Sequence, residues 1–325
     1  MRNRVISERV LRATINVLFI AALLAGCSEN ETVGPGQVPY VPTDDFVEIP
    51  ADTFMMGLTV KHEVVLSRSF YMAETEVTNS RFAEMAQWAY DNGYCSVEGQ
   101  FLVDGLDGAT DSLMYFGSAS NYVSFAADTF SVEAGREELP VRHVSWYGAA
   151  AFCDWMSIRE GLPRAYDHSD WICNGGDPYG ARGFRLPTEA EWEHACRAGT
   201  ETMFSTGDCL DSATEANYDG GQPNTGCPTG PYVGNIVDVG SYLPNPFGLY
   251  DMHGNLWEWC NDWYVPYDNV DATDPVGPGP GSGYRIVRGG AWSYQASLCS
   301  SGVRSSNPPH DTIWLLTFRP VITKR

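Results

Sequence analysis

An α+β domain made mostly of loops, with a few short helices and short strands, is what this sequence predicts, and three observations carry that reading. Three stretches show helical character in spacing or capping; the chain holds 33 glycines and 20 prolines; and the run from Gly199 to Gly290 reads as mostly irregular. The first helix is expected over Thr78 to Tyr90, where Phe82, Met85, Ala86 and Ala89 fall at helical spacing. A second follows Ser145, with Gly148, Phe152, Trp155, Met156 and Arg159 along one face. A third, short helix leaves the Leu186-Pro187 turn: Thr188 and Glu191 form a Thr-x-x-Glu capping box, and Trp192 and Ala195 follow. Everything beyond it reads as loops and short strands. So much loop costs conformational entropy, and disulfides or a bound metal are expected to offset it.

Ahead of that domain lies an export pattern. Arg2, Arg4, Arg9 and Arg12 precede an apolar stretch from Val17 to Leu24, then Leu24-Ala25-Gly26-Cys27. The stretch is shorter than the roughly 20 residues a permanent spanning helix needs. Basic flank, short apolar run and small residues before Cys27 read as a lipoprotein signal over residues 1–26. Cleavage would leave Cys27 for lipidation, and two or more acyl chains anchor stably. Residues 27–44 are polar and rich in Pro and Gly, a flexible tether, and residues 45–325 form one domain with no second linker or repeat. The membrane is therefore an expected partner through Cys27. Ser28, not Asp, follows it, which by resemblance to sorted lipoproteins favours the outer membrane of a bacterial envelope.

The formal charge is −21, and loss of residues 1–26 moves it to about −24. Such a surface repels nucleic acid and suits divalent cations. Nine cysteines less Cys27 leave eight, an even number that favours disulfides in an exported chain. Cys209 with Cys227, bracketing a loop rich in Gly, Pro and Asn, is the one specific pairing expected. No Cys-x-x-Cys pair occurs, which argues against a zinc ribbon or a thioredoxin-type site.

Three blocks follow neither helix nor strand periodicity: Gly183-Phe-Arg-Leu-Pro-Thr-Glu-Ala-Glu-Trp-Glu193, Gly248-Leu-Tyr-Asp-Met-His-Gly-Asn-Leu-Trp-Glu-Trp259 and Arg288-Gly-Gly-Ala-Trp292. With Phe54-Met-Met-Gly57, Phe70-Tyr-Met-Ala-Glu-Thr-Glu-Val-Thr78 and Pro140-Val-Arg-His-Val-Ser-Trp146, they resemble the formylglycine-generating enzyme, or sulfatase-modifying factor, family over nearly the whole domain. The resemblance implies a variant of the C-type-lectin-like fold, with two helices beside small antiparallel sheets and long ordered loops. It also implies a calcium held by Asp251, the carbonyls of Gly254 and Leu256, and Glu258, an oxygen set suited to a hard cation. A tight turn in which Asp251 caps and Glu258 pairs with an arginine is the structural alternative. A second family calcium would map to Asn217 and Tyr218, but no matching Asp lies near Val233.

The family's copper enzymes hold Cu(I) between two thiolates five residues apart, soft ligands for a soft ion. Those positions are Tyr294 and Cys299 here. A phenol with a pKa of about 10 replaces a thiol poorly. The Ser after Gly-Gly in the active enzymes is Ala291, and the closing Asn-x-Gly-Phe-Arg reads Leu315-Leu-Thr-Phe-Arg319. Trp257 and Arg304 stand where the family has an active-site Trp and Arg, although a core indole and an ion pair would explain them. Cys299 is read as half of a disulfide, His253 as a loop-surface histidine, and Glu189, Glu191 and Glu193 as capping and ion-pairing groups. Two functions follow: an envelope binding or scaffold protein that keeps the fold and calcium, with a protein, peptide or glycan ligand, or a copper-dependent oxidase acting on a sulfatase cysteine. A different oxidative reaction, as in other branches of the family, is the third.

Overall fold

The structure is a computed structural model that describes residues 40–42, 45–266, 270–279 and 282–325. The expected signal sequence, Cys27 and the tether up to residue 39 lie outside the described residues. Tyr40, inside the stretch read as tether, sets its ring edge-on against Phe184 at 5.9 Å.

The three helices stand where capping and spacing place them. Helix α1 spans Asn79–Asp91, with the Thr78 side chain accepting from the Arg81 N–H. Helix α2 spans Trp146–Arg159, capped by Ser145 through the Gly148 N–H. Helix α3 spans Glu189–Arg197 and carries the full capping box between Thr188 and Glu191. α1 and α2 meet through Phe82 and Phe152, stacked at 5.7 Å. α2 is buried nearly all round because it also lies against the strand Ser112–Tyr115, where Gly148 is required: a Cβ there would stand 2.1 Å from the Leu113 carbonyl oxygen.

Small sheets surround the helices. Phe46–Ile49, Phe70–Ala73 and Val321–Thr323 pair antiparallel, so the C-terminus returns to seal the start of the domain. A four-stranded sheet runs in the order Ser305–Asn307, Arg285–Arg288, Trp257–Trp263, Leu316–Thr317. Its last pairing is parallel, as is the one between Ala272–Thr273 and His62–Leu66; the others are antiparallel. Between α3 and Trp257 the described chain forms no helix or strand. Loop hydrogen bonds and the Cys209–Cys227 disulfide hold it instead.

That disulfide is the pairing expected from the sequence, but the wider expectation of disulfides is overturned. Cys95, Cys153, Cys173, Cys196, Cys260 and Cys299 are free and buried. Each serves as a small apolar group in a packed interior, and burial raises the thiol pKa of each.

His168 provides a fastening of another kind. Its Nδ1 lies 2.6 Å from Asp104 Oδ2 and its Nε2 3.2 Å from Asp154 Oδ2, and the ring stacks on Trp171 at 4.0 Å. Burial alone would lower its pKa, but the two carboxylates outweigh burial and raise it to about 9. The folded value lies above the unfolded value of about 6.5. The stabilisation is thus complete below pH 6.5 and disappears as pH rises through about 9. Urea unfolding from pH 6 to pH 10 should lose roughly 3 kcal/mol over that window. A His168→Asn variant, already weaker at pH 6, should lack that slope.

Candidate functional site

The Gly248–Trp259 block turns beneath α3 and then enters the strand Trp257–Trp263. Gly254, at φ +82°, is the residue that permits it: a Cβ would stand 2.2 Å from the Asn217 carbonyl oxygen. The approach brings in the loop around Asn217, whose carbonyl accepts the Asn255 N–H at 2.9 Å. Asp251, Gly254, Leu256, Glu258, Asn217 and Tyr218 therefore belong to one pair of adjoining segments.

Their side chains are differently engaged. Glu258 is fully buried; Arg319 grips both its oxygens at 2.7 Å, and the Trp192 indole N–H donates to Oε2 at 2.8 Å. This is the arginine pairing anticipated as an alternative to metal ligation. Asp251 accepts the Gly240 N–H on Oδ2 at 2.7 Å, while its buried Oδ1 has no hydrogen-bond partner. Asn217 donates to Asn235 O and to Asn255 Oδ1, and its own buried Oδ1 is likewise without a partner. Tyr218 is buried and spends its hydroxyl on the Leu210 carbonyl at 2.7 Å.

A third acid, missed in the sequence, completes the group. Glu76 is 1 % exposed; Asn255 Nδ2 donates to its Oε2 at 2.7 Å, and Oε1 has no partner. Burial, then Asp251 and Glu258, raise its pKa well above the carboxylate range. Burial raises Asp251 to about 6. Arg319 is the cation that acts on all three acids.

No three His, Cys, Asp or Glu side chains among the described residues are placed to hold a metal ion by themselves. A calcium set with two backbone carbonyls does not require that, and the buried, unsatisfied Oδ1 of Asp251 suits a hard cation. Glu258 would have to share its oxygens with Arg319.

At the positions of the family's copper ligands stand a phenol and a buried thiol. Cys299 is 0 % exposed and packs with Phe204, Leu210, Ala216, Tyr218 and Ala296; Tyr294 lies against the same cluster. Its thiol points toward the Ala291 carbonyl, 3.9 Å away, and burial pushes its pKa up to about 12. Gly290 gives it room, since a Cβ there would stand 2.6 Å from the sulfur. Tyr294 meets Trp257 edge-on at 5.8 Å. Cys299, Tyr294 and Trp257 are thus gathered around one apolar seam. The reading of Cys299 as half a disulfide was wrong: the surrounding core shields a reduced thiol.

Arg304 takes a different role. It binds both oxygens of Glu189, at 2.8 and 2.6 Å, and the Val265 carbonyl at 2.6 Å. His253 also departs from expectation: it is buried, not a surface residue. Its Nδ1 donates to the Cys299 carbonyl at 2.8 Å while Nε2 accepts the Ser205 N–H at 3.1 Å, and burial depresses its pKa to about 4. A neutral imidazole thus pins the backbone that carries Cys299. The three α3 acids behave as expected, with Glu191 on Arg185, Glu193 on Arg197 and Arg288, and Glu189 on Arg304.

Comparison with known proteins agrees with this architecture. A formylglycine-generating enzyme of Streptomyces coelicolor is 32 % identical over 289 residues, covering 83 % of this chain and 82 % of its own length. The Bos taurus formylglycine-generating enzyme is 29 % identical over 332 residues, covering 89 % and 78 %. The solved structure of Treponema denticola variable protein 1 superposes with a TM-score of 0.59 at 24 % identity, covering 89 % of this chain and 99 % of that one. It shares the fold. Residues 32–324 match the family described as the sulfatase-modifying factor enzyme 1-like domain, and with that match the chain belongs to the sulfatase-modifying factor family.

Proposed function

We propose that this protein is a lipid-anchored bacterial envelope protein that uses the sulfatase-modifying factor fold to bind or scaffold a partner, with calcium as a structural ion and without the family's oxidase chemistry. One observation carries the reading. Where a pair of thiolates would be needed, the chain has Tyr294 and a Cys299 thiol that is sealed in an apolar cluster with its pKa near 12. A protonated, enclosed sulfur is a poor ligand and a poor nucleophile. Ala291, in place of a serine, removes a hydroxyl from the same seam.

Calcium is supported by the unsatisfied Asp251 Oδ1, by the two carbonyls on the Gly254 turn, and by three buried acids that share Arg319. When bound, it would supply charge compensation and loop order. Export and anchoring rest on the N-terminal pattern that ends at Cys27, and the ligand stays within the protein, peptide or glycan classes.

The names of the relatives support the competing reading, a copper oxidase that converts a sulfatase cysteine. Titration of the calcium-loaded protein with Cu(I) against a chromophoric competitor separates the two. The expected result is no stoichiometric tight site and no turnover of a Cys-x-Pro-x-Arg peptide under oxygen. Tight binding that Cys299→Ser abolishes, together with turnover, would replace this reading with the oxidase.

A further inference from the structure

Arg304 and Glu189 border a cavity of 380 Å3 that no part of the preceding reading uses. Its walls are largely apolar, with Val265, Val270, Ala272 and Pro275 among them, and Asp262 lines it too. Asp262 is 6 % exposed. Its Oδ2 accepts the Glu189 N–H at 2.8 Å; among the described residues Oδ1 takes no hydrogen bond and no ion pair reaches the carboxylate. Gly277 frees the space beside that oxygen, since a Cβ there would stand 3.0 Å from Oδ1.

Among the described residues neither nearby arginine forms an ion pair with Asp262. The Arg304 guanidinium is closed on both Glu189 oxygens and the Val265 carbonyl. Arg285 is sandwiched between the rings of Trp146 and Trp263, at 3.6 and 3.7 Å, and donates to Asn261 O. The remaining lining acid, Asp271, is exposed and accepts the Glu63 N–H. The Glu189–Arg304 pair cancels, and Asp262 is left as a buried acid on which Arg285 acts only through space, without an ion pair. Burial, then Glu189, raise its pKa to about 7. Burying a carboxylate without a paired counter-charge is costly, and such a group beside an apolar space suits a ligand that brings a positive charge into contact with it.

We propose that this cavity binds a small organic ammonium ion, with its nitrogen on Asp262 and its hydrocarbon body against the Val265, Val270 and Ala272 wall. A hard metal ion does not match, because it would need six to eight oxygens and would meet apolar walls. The ammonium group could belong to a free alkylamine or to the lysine side chain of a peptide, so the test uses both.

Isothermal titration in excess calcium would compare n-hexylammonium, N-acetyl-lysine amide and 1-hexanol, the last keeping the hydrocarbon without the charge. At least one of the two ammonium probes should bind at least about tenfold more tightly than hexanol, equivalent to about 1.4 kcal/mol. Asp262→Asn keeps the oxygen that accepts from Glu189 and should erase the difference. Should that variant not fold, carboxyl-carbon NMR of the wild-type protein gives the same answer: ligand addition should move the Asp262 signal to its ionised position. Equal affinity for hexanol and both ammonium probes, discrimination that persists in Asp262→Asn, an unmoved Asp262 carboxyl signal, or no saturable binding of either ammonium probe would each overturn the assignment. None of these results bears on copper or on Cys299.

Discussion

Replacing Arg319 with methionine should destabilise the calcium-free domain by about 3 to 5 kcal/mol, the range for breaking a buried ion pair from one side. Arg319 is completely buried and donates to both Glu258 oxygens and to the carbonyls of Ala73, Glu74 and Tyr250. The Ala73 and Glu74 carbonyls tie the C-terminal segment to the start of the domain, and the Tyr250 carbonyl ties it to the Gly248–Trp259 block. Loss of the side chain would leave them and Glu258 poorly satisfied at once. It would also remove the cation that offsets Glu76 and Asp251. Urea unfolding, with midpoints converted through an unchanged m-value, measures the effect. Arg319→Lys should retain part of the stability, because an ammonium keeps the charge without the planar fork that fits a carboxylate. A Glu258→Gln change made with Arg319→Met should cost less than the sum of the two singly, since it removes the stranded charge. A loss below about 1 kcal/mol for Arg319→Met would show that solvent reaches the cluster, in the range of an exposed pair.

What could be read from the chain depended on how local each signal is. Ser145, Thr188 and Glu191 announced two helix starts because a cap acts within three or four residues, and the structure places their bonds there. The Cys209–Cys227 loop was likewise a local matter. Cysteine parity failed for the remaining thiols because an even number says nothing about whether two sulfurs meet, and each of these six is buried unpaired. Glu76 was overlooked because its neighbours are remote: Asn255, which holds it, lies 179 positions away. The available hint was an acid set within Phe70-Tyr-Met-Ala-Glu-Thr-Glu-Val77, between a buried strand and a helix cap. His253 was misread for a related reason. A histidine beside glycine in a turn looks exposed until the Ser205 and Cys299 segments close over it. Asp262, too, is ordinary in sequence, and it becomes unusual once the fold buries it with the Glu189 N–H on one oxygen and spends the Arg304 guanidinium on the Glu189 carboxylate instead.

Calcium should raise the unfolding free energy by about 2.7 kcal/mol when free ion stands a hundredfold above the dissociation constant. For a domain of this size that corresponds to roughly 5 to 10 °C in melting temperature, removed by a chelator and restored by calcium. Glu76, Asp251 and Glu258 are all buried, Arg319 supplies one positive charge to the three, and the Oδ1 of Asp251 and Oε1 of Glu76 take no hydrogen bond. A divalent cation on the Asp251 side would offset two negative charges and satisfy an orphaned oxygen together. Asp251→Asn should lose the calcium increment while gaining stability in chelator, because it removes one uncompensated charge without changing shape. Glu76→Gln should also gain stability in chelator but keep most of the increment, if the ion sits on the Gly254 turn and Glu76 acts on it at a distance. Magnesium should substitute poorly, since it demands near-octahedral geometry and gives up water reluctantly. Differential scanning calorimetry of the wild-type and the two variants, each in chelator and in calcium, resolves these outcomes. An unchanged melting temperature on chelation of the wild-type protein would remove calcium from its account, leaving Arg319 and protonation of Glu76 to carry the charge balance.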